Sequence, residues 1–308
     1  MSKPHIGVFG GGLIGMSWAS LFLARGCKVT VQEPRAEAAE ALAAFVARAW
    51  PALQDLGLAE SAAPPKASFT RSIADFEGVD FIQECGPDRI EIKREMLSAL
   101  EGVIGSEVIV ASSTSSLLAS DIQRDALHPQ RILVAHPMNP PHLVPMVELV
   151  AGEKTAEAAM QAAEAFYRDM RRVTIRVKRE TVGHLANRLT SALYREAVYA
   201  VQEGIASVED VDKAIAFGPG MRWAFMGPHL TYHLGGGAGG YRHYLDHLGP
   251  TQEARWREHG MPSLTPEVKD QLVAGVEAEL ERQDEATLIE RRDAALVALA
   301  QLKRRFGL

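Results

Sequence analysis

The sequence predicts an α/β chain, a doubly wound parallel sheet followed by an all-helical C-terminal domain. Three observations carry this reading. Short apolar and β-branched runs alternate with helical patterns from His5 to Val177, the order that builds βαβ units. The first run leads straight into a glycine-rich turn and then a helix. Beyond Thr181 the strand signal stops and only helical periodicity remains. The boundary is therefore expected between residues 180 and 181, giving a sheet domain over 1–180 and a helical domain over 181–308. A chain of 308 residues is long enough for two domains with their own cores.

In order, His5–Phe9 is an apolar strand, and the turn Gly10-Gly11-Gly12-Leu13-Ile14-Gly15 precedes a helical pattern from Met16 to Arg25 that stops at Gly26. Lys28 to Gln32 is a second strand, ending at Glu33. Glu37 to about Leu58 is alanine-rich and helical, with an interruption expected at Pro51. Pro64-Pro65 marks a loop, and Val79 to Glu84 is the next strand. Ile90 to Leu100 has helical spacing, and Val108 to Ala111 is a strand running into Ser112-Ser113-Thr114-Ser115-Ser116. Ile132 to Ala135 and Met146 to Val150 are further strands, Thr155 to Met170 a helix, and Val173 to Val177 the strand that closes the sheet. Val182 to Glu203 reads as one long helix, Val208 to Ala216 as another, and Gly235 to Gly240 as a mobile loop.

The glycine turn fits G-x-G-x-x-G with Gly10, Gly12 and Gly15, and Leu13 and Ile14 between them. The first glycine permits a tight turn and the second lets a pyrophosphate approach the backbone. The third lets the helix pack closely, with its first amides facing the phosphates. Strand before, helix after and an acid at the end of the second strand are the context that makes this a Rossmann-type dinucleotide site. Glu33 is placed to bind the adenosine ribose hydroxyls and repel a 2′-phosphate. NAD is expected rather than NADP, with Arg35 the one nearby charge pointing the other way.

His136-Pro137-Met138-Asn139-Pro140-Pro141, running on to Glu148, is a strand end, a proline-stiffened loop and a returning strand. That arrangement can bring His136 and Glu148 face to face, the carboxylate orienting an imidazole that accepts an alcohol proton. Ligands of doubly wound sheets sit beyond the carboxyl ends of the strands, which puts Glu84, Asp88, the serine run and His136 on one rim. Two readings of the serine run stand side by side: helix capping, or a hydroxyl that hydrogen-bonds a substrate oxygen. Asn187, among Leu185, Leu189 and Leu193, gains meaning only if its helix begins against that rim.

Hydrophobic residues at 47% and charged residues at 23% fit a soluble globular protein. A net charge of −6 argues against nucleic-acid or anionic-membrane surfaces. The two cysteines, Cys27 and Cys85, have no zinc spacing and read as buried thiols. No metal site is expected. No apolar run approaches the roughly 20 residues that span a bilayer, the first strand begins at once, and a cytoplasmic location is expected.

Together, GGGLIG, SSTSSLL, HPMNPP through VELV, and GHLANRLTSALYREAVYAVQEGIASVEDVDKAIAFGPGMRWAFMGP resemble the 3-hydroxyacyl-CoA dehydrogenase superfamily, in order from residue 5 to about 230. The resemblance implies that His136 is the base, Glu148 its orienting partner, and Ser115 and Asn187 donors to the substrate oxygen. It also implies that Asp88, where relatives commonly have Glu, and Lys93 contact the cofactor's ribose or phosphates. AWPALQDLGL, FIQECGPDRIEIK, the segment FGPGMRWAFMGPHLTYHLGGGAGGYRHYL and PSLTPEVKDQLVAGVEAEL are similar to the free-acid branch that acts on L-carnitine. HPMNPP follows the form of the L-gulonate (lambda-crystallin) branch.

The implied activity is NAD-dependent oxidation of the 3-hydroxyl of a small hydroxy acid to the 3-keto acid. L-Carnitine comes first, L-gulonate second, and a short-chain 3-hydroxyacyl-CoA or 3-hydroxybutyrate third. A crystallin-like role without catalysis is disfavoured because Ser115, His136, Glu148 and Asn187 are all present. The resemblance also implies a homodimer through the helical domain. Trp223, Phe225, Tyr232, Tyr241 and Tyr244 are either a cation–π cage for a trimethylammonium group or core and interface anchors. Arg222 or Arg242 would hold the substrate carboxylate.

Overall fold

The computed structural model describes residues 3–282 and 284–308. The chain divides into two compact units, Met1–Arg188 and Leu189–Leu308. The first unit holds β1 (His5–Phe9), α1 (Leu13–Ala24), β2 (Lys28–Gln32), α2 (Ala38–Asp55), β3 (Ser68–Thr70) and β4 (Phe81–Glu84). It continues with α3 (Ile90–Glu101), β5 (Ile109–Ser112), α4 (Ala119–Ile122), β6 (Ile132–Pro137), β7 (Met146–Ala151), α5 (Glu157–Asp169) and β8 (Val173–Val177). The sheet runs β3-β2-β1-β4-β5-β6-β7-β8. Its pairs are parallel except β6 with β7, which run antiparallel with His136 directly opposite Glu148.

Strand periodicity explains the two covered faces. On β4, Ile82 joins Phe9, Phe76, Leu100, Ile132 and Val134 in one apolar cluster. Its neighbour Phe81 points the other way, stacking on Phe166 at 3.9 Å and meeting Tyr167 edge-on. α1 is buried from Ser17 to Ala24, as a helix packed on several sides must be. The sheet thus holds all its strand ends at fixed positions, which is what a site on its rim requires.

Pro51 does not interrupt its helix. α2 runs unbroken through it, burying Leu42, Phe45, Val46, Trp50 and Leu53. A proline inside a helix costs about 3 kcal/mol, and several buried side chains at about 1.5–3 kcal/mol each outweigh it. Ile73–Phe76 forms a 3₁₀ turn.

The helices of the remaining chain are α6 (Ala186–Gln202), α7 (Val208–Phe217), α8 (Pro219–Trp223), α9 (Pro228–Gly235), α10 (Gly240–Glu258), α11 (Pro266–Leu280) and α12 (Glu285–Phe306). α6 begins at Ala186 rather than Val182, because Gly183 (φ 76°) and His184 (φ 51°) take left-handed conformations that no right-handed helix can include. The unit division falls within α6. Ser207, Thr265 and Asp284 cap α7, α11 and α12 by accepting from backbone amides three residues on. Gly235–Gly240 is not a loop: α9 ends at Gly235, a 3₁₀ turn spans Gly237–Gly239, and α10 starts at Gly240. Among the described residues no helix is long and apolar enough to cross a membrane.

Candidate active site

The dinucleotide motif sits where β1 meets α1. Gly10 adopts φ 106°, and a Cβ on Gly15 would run into the Gly10 carbonyl oxygen. Both glycines are thus explained by the protein's own backbone. Gly12 is different: a Cβ there would meet no protein atom within 4 Å, so its lack of a side chain leaves open backbone, as a close-lying pyrophosphate needs. Gly12 caps α1 without a side-chain hydrogen bond, and the first turn carries no acid. The helix's first amides are therefore left for an anion. Glu33, buried at the end of β2, accepts from Gly11 N (3.0 Å) and Arg35 Nε (2.8 Å). Burial would raise its pKa, but the Arg35 and Gly11 hydrogen bonds outweigh it and hold the carboxyl below its ordinary range. These residues fit an NAD adenosine and pyrophosphate.

The antiparallel register sets His136 and Glu148 face to face, with Nδ1 2.8 Å from Oε2. Glu148 is completely buried, a costly place for a charge unless donors surround it. They do: Oε1 accepts from the amides of Leu185 (2.9 Å) and Ala186 (2.8 Å) at the start of α6. Burial pushes its pKa up, but the His136 bond and the two amides together bring it below the usual carboxylate range. An ionised carboxylate can only accept, so Nδ1 carries the ring's hydrogen. His136 also lines a cleft of about 370 Å³ with Ile14, Asp88, Ser115 and Asn187. Nε2 is left as the ring's lone pair, the nitrogen that can take a proton.

Across the cleft, Asp88 accepts from Thr114 Oγ1, from Ser115 N (3.1 Å) and from Ser115 Oγ (2.9 Å). Partial burial would raise its pKa, but these donors and the charge of Lys93 keep it lowered. Asn187, in the first turn of α6, donates from Nδ2 to the Ser115 carbonyl at 3.1 Å. The structure therefore brings Ser115, His136, Glu148 and Asn187 into one region, as their joint use requires. Ser112 and Thr114 serve the loop as well, since their side chains accept from Thr114 N and Leu117 N.

Glu84 ends β4 at the rim as expected, but its carboxylate is buried and faces Lys93. Lys93 is 2% exposed, and its ammonium bonds both Glu84 oxygens (3.0 and 2.8 Å) and the Gly86 carbonyl (3.2 Å). Ser112 Oγ and Gly86 N also reach Glu84. This buried pair pins the loop carrying Asp88, and the Lys93 ammonium is turned inward rather than into the cleft. Cys85 is only half-buried, unlike Cys27, and burial pushes its thiol up to about 12. The thiol stays protonated, without the thiolate character that reactivity needs.

In the helical unit, Tyr232 stacks on Tyr244 with centroids 4.4 Å apart, and Tyr244 lies parallel to Tyr241 at 6.2 Å. His229 Nδ1 meets the Tyr241 hydroxyl at 2.8 Å. No ring contact among the described residues joins Trp223 or Phe225 to this group. Trp223 is 40% exposed on α8, and Arg222 beside it is exposed. The tyrosines face each other, not a space between them, and the five aromatics do not form a single cage in this unit.

Sequence reasoning missed Thr114 as the residue that fixes Asp88. It also missed His184, whose ring lies 5.3 Å from that of His136. Gly183, inside the apparent helical pattern, was the available signal, since glycine is a strong local punctuator of structure.

Known proteins resemble the chain along most of its length. The family model for the 3-hydroxyacyl-CoA dehydrogenase NAD binding domain matches residues 5–181, and that for the C-terminal domain matches residues 183–269. An L-carnitine dehydrogenase of Streptomyces coelicolor is 41% identical, covering 100% of this chain and 98% of that one. An L-carnitine dehydrogenase of Pseudomonas aeruginosa is 40% identical over 97% of this chain and 94% of that one. Among solved structures, the FHMPC 5-dehydrogenase, an NAD⁺-dependent dismutase, superposes with a TM-score of 0.85 at 28% identity over 98% of both chains. The (S)-3-hydroxybutyryl-CoA dehydrogenase of Ralstonia eutropha gives 0.63 at 26% identity, covering 70% of this chain and 77% of that one.

Proposed function

The chain belongs to the 3-hydroxyacyl-CoA dehydrogenase family and is an NAD-dependent oxidoreductase, and from that premise we propose that it oxidises the 3-hydroxyl of L-carnitine to give 3-dehydrocarnitine. The observation that carries the chemistry is the buried His136–Glu148 pair opening onto the cleft beside the dinucleotide motif. The observation that carries the substrate is its near-complete alignment with carnitine dehydrogenases at about two-fifths identity.

NAD, when bound, supplies the acceptor for the hydride from carbon 3. His136 Nε2 removes the hydroxyl proton, and Glu148 stabilises the imidazolium that results. Glu148 can do so because its charge is already paid in donors, the two amides at the start of α6, before the reaction begins. In this reading Ser115 Oγ and Asn187 Nδ2, which here bond Asp88 and the Ser115 carbonyl, turn to donate to the substrate oxygen. Gly12 and Glu33 place the cofactor, and the glutamate disfavours a 2′-phosphate.

The helical unit supports assembly as a homodimer. Its buried apolar side chains among the described residues are Val198, Val201, Val268 and Val297. Large side chains such as Leu230, Leu234, Trp256, Ile289 and Phe306 are exposed on it. A soluble region of this length normally encloses a core, and apolar surface on this scale marks an interface. A second copy of the chain is the occupant proposed here.

His136→Gln tests the base directly. Turnover with L-carnitine is expected to fall about 10²–10⁴-fold with NAD binding retained. Turnover near wild type would remove His136 from the role.

A further inference from the structure

Beside His136 lies a second buried imidazole that the proposed chemistry leaves unused. His184 is 1% exposed, and its ring is tilted 49° to that of His136. Its Nε2 lies 3.1 Å from the Thr114 carbonyl oxygen, an atom that can only accept. Nε2 therefore carries the hydrogen and Nδ1 the lone pair. Nδ1 is buried with no protein partner. Burial lowers the pKa of His184; the Thr114 bond raises it less, and a charge on His136 lowers it further, while Glu148 and Asp88 raise it. A neutral ring beside His136 puts no positive charge against the imidazolium formed there.

The backbone at His184 is left-handed, a region that few side chains enter but histidine, asparagine and aspartate tolerate. This turn has two outputs. It aims the amides of Leu185 and Ala186 at Glu148, and it aims the imidazole at Thr114, whose hydroxyl holds Asp88 and whose neighbour is Ser115. An apolar ring of similar size would fill the space but leave the Thr114 carbonyl unpaired in a buried setting, which is costly.

We propose that His184 is a positioning residue: its Nε2–H bond to Thr114 ties the serine loop to the turn that holds Glu148, fixing the hydroxyl donors relative to the base. This rests on the reading of His136 as the base. Displacements near 1 Å in such a constellation lower turnover by about 10²-fold.

The test compares His184→Phe, which keeps a flat ring without a donor, with His184→Asn, which keeps an N–H and suits the backbone. His184→Phe is expected to lower kcat about 10–100-fold with an unchanged Kd for NAD, and His184→Asn to recover most of the loss. Wild-type kcat in His184→Phe, or equal impairment in both folded variants, overturns the proposal. Should either variant fail to fold, the nitrogen-15 NMR spectrum of the wild-type ring decides. A neutral Nε2–H tautomer at neutral pH is required, and an Nδ1–H or charged ring overturns it. His136→Gln is assayed in parallel. If it keeps turnover, the base assignment fails whatever His184 does; if it is inactive while His184→Phe is not, only the present inference fails.

Discussion

Glu148 holds its charge with three donors: His136 on β6, the amide of Leu185 just before α6, and that of Ala186, its first residue. Two consequences follow at the scale of the residue. In Glu148→Gln the side-chain NH₂ can face His136 only if Nδ1 gives up its hydrogen, which moves the proton to Nε2 and removes the base. A fall in kcat of roughly 10³–10⁴-fold is expected, the size of effect a wrong tautomer produces, and steady-state kinetics with retained NAD binding checks it. The lowered pKa also links to stability. A carboxylate whose pKa is depressed in the folded state stabilises the fold above its unfolded value, about 4.3, and that contribution is lost as pH falls through the folded value. Thermal melts below about pH 5 should therefore show a steeper loss in wild type than in Glu148→Gln, and parallel slopes would contradict the assignment. Glu33→Ala should weaken NAD and improve NADP relative to it, since the carboxylate near Gly11 is removed while Arg35 remains. An unchanged ratio of the two cofactors' kcat/KM would speak against Glu33 as the ribose ligand.

At the scale of the element, the β1–α1 turn and the start of α6 carry the site. Gly15→Ala places a Cβ against the Gly10 carbonyl oxygen, a backbone atom with little freedom to move. NADH binding, followed by fluorescence titration, should weaken at least about tenfold for lost helix-to-turn packing, since 1.4 kcal/mol suffices; wild-type affinity would contradict this. The same turn was legible in the sequence because glycine spacing, flanking strand and closing acid are all local signals. His136 opposite Glu148 was legible too, since strand, proline loop and returning strand admit an antiparallel register. The start of α6 was not. The apolar pattern continues through Val182 and Leu185, and only the left-handed backbone at Gly183 and His184 breaks it. The pairing of Lys93 was hidden for a different reason: its partner Glu84 is on another element, and side-chain pairing between elements leaves no mark in spacing. The aromatics of the helical unit show the same limit, near in sequence but only partly gathered in space.

At the scale of the whole molecule, the apolar surface of the helical unit predicts a dimer. Sedimentation or light scattering should give twice the 33.5 kDa chain mass at micromolar concentration, and a monomer would contradict the proposed assembly. Stability should then depend on protein concentration, as it does for folds completed by a partner. The central claim concerns the reaction. Its most direct test is NADH formation by the intact protein with NAD⁺ and, in turn, L-carnitine, L-gulonate, L-3-hydroxybutyrate and the CoA thioester of the last. The account predicts the highest kcat/KM with L-carnitine. Turnover of another 3-hydroxy acid with none of L-carnitine would contradict it, leaving the His136–Glu148 chemistry standing and the substrate wrong.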